Sequence, residues 1–268
     1  MKIGIIGLGV VGNAVKYGLE KKQGHTIYSY TRRDEIKKLH TLFKNSEIIF
    51  VCVSTPQAND GSCDVSNVED VCKKLNVLAK KEKKKKDVVI KSTVDPRFVN
   101  TVEKRFKHLR IAINPEFLKE KAAIHDFCHQ DICVIGTKYA DLYEKLVAIH
   151  GNLANEYIRT TPMNAILVKY FSNTFNSTRI IFANFFYDIA QKFNADYNDI
   201  KSIVVKRENM IDSYLDCNPN LRGYGGMCLP KDTEAIHALS KDLELGYNLL
   251  DAVIKDNKSL TKLFPEKE

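Results

Sequence analysis

The chain has 268 residues, 44% of them hydrophobic, with 41 Lys and Arg against 33 Asp and Glu for a net charge of +8. That length supports a sizeable core and two domains, and no apolar run reaches the length of a helical membrane span. Seven cysteines, odd in number and irregularly spaced, read as reduced thiols of a cytoplasmic protein, and no Cys-x-x-Cys pair or histidine cluster offers a metal site.

The chain opens as MKIGIIGLGVVG, with no positively charged leader ahead of an apolar centre, so no secretion signal is expected. The apolar run Ile3–Ile6 meets Gly7-Leu8-Gly9-Val10-Val11-Gly12. A helical pattern then continues to about Lys22, Gly24 ends it, and Thr26–Tyr30 reads as the next strand. Gly-x-Gly-x-x-Gly between a strand and a helix is the turn by which a Rossmann-type fold holds a dinucleotide. Gly7 makes the turn, Gly9 admits the pyrophosphate and Gly12 lets helix and strand pack closely. The helix N-terminus at Val10 and Val11 then faces the phosphates.

An acid at the end of the second strand ordinarily takes the ribose hydroxyl of NAD. Here that position is Thr31, followed by Arg32 and Arg33. A threonine leaves room and an arginine clasps phosphate through paired hydrogen bonds, so the local residues favour NADP or dual use.

Strand-like runs recur at Ile48–Val53, Val88–Lys91, Ile111–Ile113 and Ile132–Ile135, and Tyr157–Thr160 suits a last strand. Helical patterns near Val65–Ala79, Arg97–Phe106 and Ala140–His150 separate them. The alternation predicts an α/β fold: a doubly wound, mostly parallel Rossmann-like sheet, followed by an all-helical second domain. Lys80-Lys81-Glu82-Lys83-Lys84-Lys85-Lys86 carries much of the excess charge and reads as a solvated loop. It has no interleaved aromatics for base stacking, so nucleic acid is not an expected partner.

From Pro162 the pattern changes. Met163 to about Lys192 lacks Gly and Pro and predicts one long helix, with further helices near Asp196–Lys206, Lys231–Lys241 and Leu245–Leu263. The domains are set at 1–160, binding NAD(P), and 161–268, helical. Lys169 and Asn173 lie four residues apart and project from one helical face, as a solvated pair or a functional one.

Gly223-Tyr224-Gly225-Gly226-Met227-Cys228 leads into Leu229-Pro230-Lys231-Asp232, where proline and aspartate suit the first turn of a helix. Cys228 ahead of that turn, beside Lys231, suits either a thiolate or a buried cysteine after a tight turn.

These motifs together resemble the UDP-glucose/GDP-mannose dehydrogenase family. Val53-Ser54-Thr55-Pro56 is similar to its Val-x-Thr-Pro strand end, and Lys91-Ser92-Thr93-Val94 to its Ser-Thr-Val loop. Asn114-Pro115-Glu116-Phe117-Leu118-Lys119-Glu120 is similar to its Asn-Pro-Glu-Phe-Leu-Arg-Glu signature. Lys169 to Phe175 resembles its Lys-x-x-x-Asn-x-Phe helix, and Gly225 to Asp232 its cysteine loop. All five occur in the family's order.

The resemblance implies NAD as cofactor and a nucleotide-sugar substrate, such as UDP-glucose, whose C6 alcohol becomes a carboxylate in two hydride transfers. It implies Cys228 as nucleophile, Lys169 and Asn173 as oxyanion donors, and Asp232 as the residue that orients water. Glu120 becomes the acid/base partner, with Glu116 and Thr93 near it. Thr55, Pro56, Thr93 and Glu116 join Gly7, Gly9, Val10, Val11, Gly12, Thr31 and Arg32 around the cofactor. Phe117, Leu118, Lys119, Glu120, Lys169, Asn173, Tyr224 and Gly225 line the substrate. A homodimer through Phe171–Phe186 is also expected, since Phe175, Phe182, Phe185 and Phe186 crowd one helix, with packing inside the domain as the equally simple alternative.

Departures from the pattern are Thr31 on the second strand, Ile132, Ala165-Ile166 before the helix lysine, and Met227 and Leu229 flanking the cysteine. A further nucleotide-binding domain, which family members carry beyond the position of Leu249–Ile254, is expected to be absent. Two other readings stay open: a dehydrogenase making one hydride transfer on a small hydroxy acid, and a non-catalytic binding remnant.

Overall fold

A computed structural model describes residues 1–263 of the chain, and the side chains of residues 1–260. The described residues divide into two compact units, 1–56 with 63–169 and 57–62 with 170–263.

The first unit begins with β1 (Lys2–Ile6), α1 (Val10–Tyr17) and one wide helical turn over Gly18–Lys22, then β2 (Thr26–Tyr30), α2 (Ile36–Asn45) and β3 (Ile48–Val51). It continues through α3 (Ser66–Lys81), β4 (Lys86–Ile90), α4 (Pro96–Arg105), β5 (Leu109–Ile113) and α5 (Ala123–Cys128), and closes with β6 (Gln130–Gly136), α6 (Ala140–His150) and β7 (Ala154–Thr160). The seven strands form one sheet in the order β2-β1-β3-β4-β5-β6-β7. Only the junction of β5 and β6, at Ile113 opposite Gly136, runs antiparallel. The strand order reverses direction at β1, whose neighbours are β2 and β3, and a crevice opens at such a switch point beyond the carboxyl ends of the strands.

Strands covered on both faces must be apolar along their whole length. β3 accordingly reads Ile-Ile-Phe-Val with every residue buried. Ile3, Ile5, Phe50, Val89, Phe127 and Ile135 meet in one continuous core with Val15, Leu19 and Leu146 from the helices.

The sequence pattern did not predict α2 or α5. In α2, the spacing of Ile36, Leu39, Leu42 and Phe43 is helical, and the last three are buried. α5 is six residues long, too short for periodicity to show, and is held by Phe127 in the core. The lysine run is less of a loop than expected. Lys80 and Lys81 close α3 and Lys86 opens β4, leaving residues 82–85 between them. Lys86 donates to the carbonyls of Phe43 and Ser46 at 2.8 and 2.6 Å, at the end of α2, and burial pulls its pKa down to about 8.

The second unit holds most of α7 (Pro162–Lys192), which starts in the first unit, and then α8 (Tyr197–Val204), α9 (Leu229–Asp242) and α10 (Leu249–Leu263). Its apolar clusters are small. Ile181, Tyr224, Val253 and Leu260 form one, and Ala183, Ala190, Tyr197 and Cys217 another. Among the described residues no helix is long and apolar enough to cross a membrane.

Candidate active site

The glycine turn after β1 is built as its sequence requires. Gly7 has φ +94° and donates its N–H to the Tyr30 carbonyl at 2.9 Å, and a Cβ there would lie 2.6 Å from the Cys52 carbonyl oxygen. A Cβ on Gly12 would lie 1.9 Å from the Gly7 oxygen, so only glycine lets α1 pack this close to the turn. Gly9 is different: nothing in the protein comes within 4 Å of where its Cβ would be. No protein neighbour needs a glycine there, whereas a ligand approaching the backbone does. Gly9 and Val10 are exposed at the start of α1, where the first amides of a helix lack partners and attract an anion. These residues fit the pyrophosphate of a dinucleotide.

At the end of β2, the Thr31 amide and hydroxyl both donate to Asp34 Oδ2, at 2.7 and 3.0 Å. Lys38 on α2 donates to Asp34 Oδ1 at 2.8 Å. Lys38, and after it the Thr31 amide, holds the Asp34 carboxyl below the usual carboxylate range. Arg32 and Arg33 are exposed. Sequence reasoning missed Asp34 because it stands three residues past the position where a strand-end acid is expected.

The carboxyl ends of β3, β4 and β5 bring further motif residues to the same edge. Thr55 is buried and Pro56 exposed, while Thr93 is half-buried and accepts a contact from Cys63 Sγ on its carbonyl at 3.5 Å. Ser92 Oγ donates to the Val53 carbonyl at 2.6 Å, tying the β4 end to the β3 end.

Glu116 and Glu120, four residues apart in one motif, stand in different surroundings. Glu116 is buried: its Oε2 accepts from the Leu118 amide at 2.7 Å, and its Oε1 lies 3.6 Å from Lys169 Nζ. Lys169 is also buried, 5.5 Å from the centre of the Phe117 ring. Lys119 and Glu120 are exposed, and Glu120 lines a recess with Val10, Asn13, Tyr17 and His125. Within the first unit it is therefore Glu116 that pairs with the motif lysine.

Sequence reasoning also missed the part played by Lys91. Its side chain is wholly buried, 3.2 Å from Asn114 Oδ1 and over the Phe127 ring, and burial pushes its pKa down. Asn114 in turn donates to the Val134 carbonyl at 2.7 Å, anchoring the start of the Glu116 loop to β6. Only its position directly before Ser92-Thr93 in the motif offered a signal.

In the second unit Cys228 is the N-cap of α9 and is exposed, with Pro230 in the first turn. The loop that carries it is tied down on both sides. Upstream, the Tyr224 amide donates to Asn257 Oδ1 at 2.6 Å and the Tyr224 carbonyl accepts from Asn257 Nδ2 at 3.0 Å, which fastens the buried Tyr224 to α10. Downstream, Asp232 is 1% exposed. Its Oδ2 accepts from Asn173 Nδ2 at 2.7 Å and its Oδ1 from Lys231 Nζ at 2.5 Å, while its amide donates to the Cys228 carbonyl at 2.9 Å. Ser177 and Thr233 hydroxyls, 2.8 Å apart, add a second bond between α7 and α9. Cys228 is thus presented to solvent on a fixed frame, with Gly225, Gly226 and Met227 exposed before it. Asn173 follows Lys169 one turn later on α7. Among the described residues no group of His, Cys, Asp and Glu is placed to hold a metal ion.

The sequence matches two domain families. Residues 29–154 match the NAD binding domain of the UDP-glucose/GDP-mannose dehydrogenase family, and residues 163–259 match its central domain. A UDP-glucose 6-dehydrogenase of Rickettsia bellii is 33% identical over 232 residues, which is 84% of this chain and 52% of that protein. A GDP-mannose 6-dehydrogenase of Pseudomonas aeruginosa is 27% identical over 301 residues, covering 97% of this chain and 69% of that one. The solved structure of a UDP-glucose dehydrogenase from Pyrobaculum islandicum superposes with a TM-score of 0.87 at 25% identity, over 97% of this chain and 68% of that chain. The chain spans about half the length of the Rickettsia UDP-glucose 6-dehydrogenase relatives it matches.

Proposed function

Because the chain belongs to the UDP-glucose/GDP-mannose dehydrogenase family, we propose that it is a nucleotide-sugar 6-dehydrogenase, oxidising the C6 alcohol of UDP-glucose to the carboxylate with NAD. The observation that carries this reading is Cys228, exposed at the N-terminus of α9 above a buried Asn173–Asp232 pair. A single alcohol oxidation needs no nucleophile, whereas oxidation of the resulting aldehyde does, because its carbon must first become tetrahedral.

When bound, NAD accepts a hydride in each of the two oxidations. In the first, Glu120 takes the hydroxyl proton as the C–H bond breaks and the aldehyde forms. Cys228 Sγ then adds to the aldehyde carbon, the carbonyl π pair moves to oxygen, and a thiohemiacetal results. Lys169 and Asn173 donate to that oxygen while it is negative. Asn173 Nδ2 carries two hydrogens, and the bond to Asp232 uses one of them, leaving the other for substrate. Glu116 balances the charge of the buried Lys169. The oxyanion pair then re-forms the C=O bond as the remaining hydrogen leaves the carbon as hydride, which a second NAD would take, and a thioester at Cys228 results. Water, oriented by Asp232, adds to it, and the C–S bond breaks with its electron pair left on Cys228 Sγ. The two water protons pass to solvent as the carboxylate leaves and the thiolate is restored.

The exposed aromatic face of α7 supports a homodimer as the working form. Phe171 is 73% exposed, and Phe175, Phe182 and Phe185 are all more than half exposed. Cys52, Cys63, Cys72, Cys128, Cys133 and Cys217 are buried thiols, which suits a reducing compartment such as the cytoplasm.

The reading is tested by counting products. With UDP-glucose and NAD, two NADH should form for each UDP-glucuronate. Cys228→Ala should lower acid formation by about a thousandfold or more, the scale of losing a covalent nucleophile. One NADH per product, or an alanine variant that makes acid at the normal rate, overturns the proposal.

A further inference from the structure

We propose that Asp34 reads the adenosine ribose of the dinucleotide and selects NAD over NADP. This rests on the dinucleotide reading of the glycine turn and adds to it the residue that sets cofactor choice.

The position comes first. β1 and β2 are paired in parallel, with Ile6 opposite Tyr30, and the Tyr30 carbonyl accepts the Gly7 amide. Thr31 therefore leaves β2 directly beside the glycine turn. A tight turn follows, closed by the Asp34 amide donating to the Thr31 carbonyl at 3.0 Å. That turn brings the Asp34 carboxylate back to the strand end, where Thr31 receives it through two bonds. The threonine that stands where an acid is expected thus serves as the seat for an acid three residues on. Its hydroxyl is spent on that carboxylate and is not left for a phosphate.

Counting acceptor positions then identifies the ligand chemistry. An ionised carboxylate has about four lone-pair positions. Two on Oδ2 are used by Thr31 and one on Oδ1 by Lys38, which leaves one on Oδ1. The side chain keeps 25% of its surface, so that position is reachable. A ribose 2′-hydroxyl offers one hydrogen and fits it. A 2′-phosphate offers two negative charges, accepts instead of donating, and meets the carboxylate as a like charge. Arg32 and Arg33, which from sequence alone argue for NADP, are exposed beside the turn, whereas Asp34 is held in place by three donors.

Direct binding of NADH and NADPH to the full chain, followed by nicotinamide fluorescence, tests this without requiring turnover. Wild type should bind NADH about tenfold or more tighter than NADPH, the scale of one hydrogen bond to a charged group. Asp34→Ala should erase that preference, weakening NADH and strengthening NADPH. Asp34→Asn keeps an oxygen for Thr31 and guards against a misfolded turn; it should strengthen NADPH while retaining most NADH binding. Arg32→Ala with Arg33→Ala should leave the NADH:NADPH ratio within about twofold, since exposed charges contribute little. An unchanged ratio in both Asp34 variants overturns the proposal, as does a wild-type preference for NADPH that the double arginine variant removes. If wild type binds neither nucleotide, the dinucleotide reading fails, and this inference with it.

Discussion

The two units bury different things. In the first, one continuous apolar core joins the sheet to α1, α5 and α6, and the buried polar side chains Lys91, Asn114, Glu116 and Lys169 sit toward its carboxyl edge. In the second, the apolar clusters are small, and buried polar side chains tie α7 to α9, through Asn173 to Asp232 and Ser177 to Thr233, and α10 to the cysteine loop, through Asn257 to the Tyr224 backbone. Its largest apolar side chains, the phenylalanines of α7, face outward. Apolar packing tolerates small shifts, whereas a hydrogen-bonded frame holds its geometry or breaks. The unit that carries the exposed Cys228 is the one held by directional bonds, and it leaves the phenylalanines of α7 unburied.

The sharpest test of the apolar character of the first unit is acid. His150 is completely buried on α6 between Phe50, Phe127 and Tyr157. Its Nδ1 is 2.9 Å from the Leu146 carbonyl, which only accepts, so Nδ1 carries the hydrogen and the lone pair is on Nε2, which has no partner. Burial, with Lys91 adding repulsion, pushes its pKa from 6.5 down to about 4. The unfolded chain therefore binds a proton that the folded chain refuses between those values. Stability from this residue is complete above pH 6.5 and is lost as pH falls to about 4, a change of about 3 kcal/mol. Urea unfolding of His150→Phe should show an acid limb flatter than wild type by that amount. An identical limb would remove the claim that this core excludes charge.

For the second unit the corresponding test removes a bond. Asp232→Ala leaves Asn173 Nδ2 buried without its acceptor and frees Lys231, at a cost of about 2 kcal/mol in stability. The same denaturation measurement checks it, with wild type and variant compared at pH 7. A loss under about 0.5 kcal/mol, the range of ordinary surface changes, would show that the polar frame does not support this unit.

The smallest effect on fold stability should come from the exposed aromatics. Phe171→Ser with Phe175→Ser, a stacked pair with ring centres 6.1 Å apart, should leave circular dichroism unchanged while turning dimer to monomer in light scattering at micromolar concentration. A wild-type monomer, or a variant that remains dimeric, would leave the α7 face without its proposed partner.

What the sequence determined on its own depends on neighbours a few residues apart. The run from Ile3 to Gly12 specifies strand, turn and helix because the glycine positions and apolar spacing are local. Pro230 and Asp232 mark the start of α9, and the absence of Gly and Pro across residues 163–192 marks α7, for the same reason. The motif order also made the family legible. Tertiary structure decided which of the motif carboxylates pairs with the motif lysine: Lys169 stands 53 positions beyond Glu116, and no periodicity reports that meeting. It likewise buried Lys91 beneath the sheet edge, set Lys86 on the end of α2 and reversed β6 against β5. Each of these follows from which surfaces meet once the elements pack on the sheet. A side chain's partner, burial and charge state are properties of that meeting, whereas local patterns carry only its tendency to bend, extend or coil.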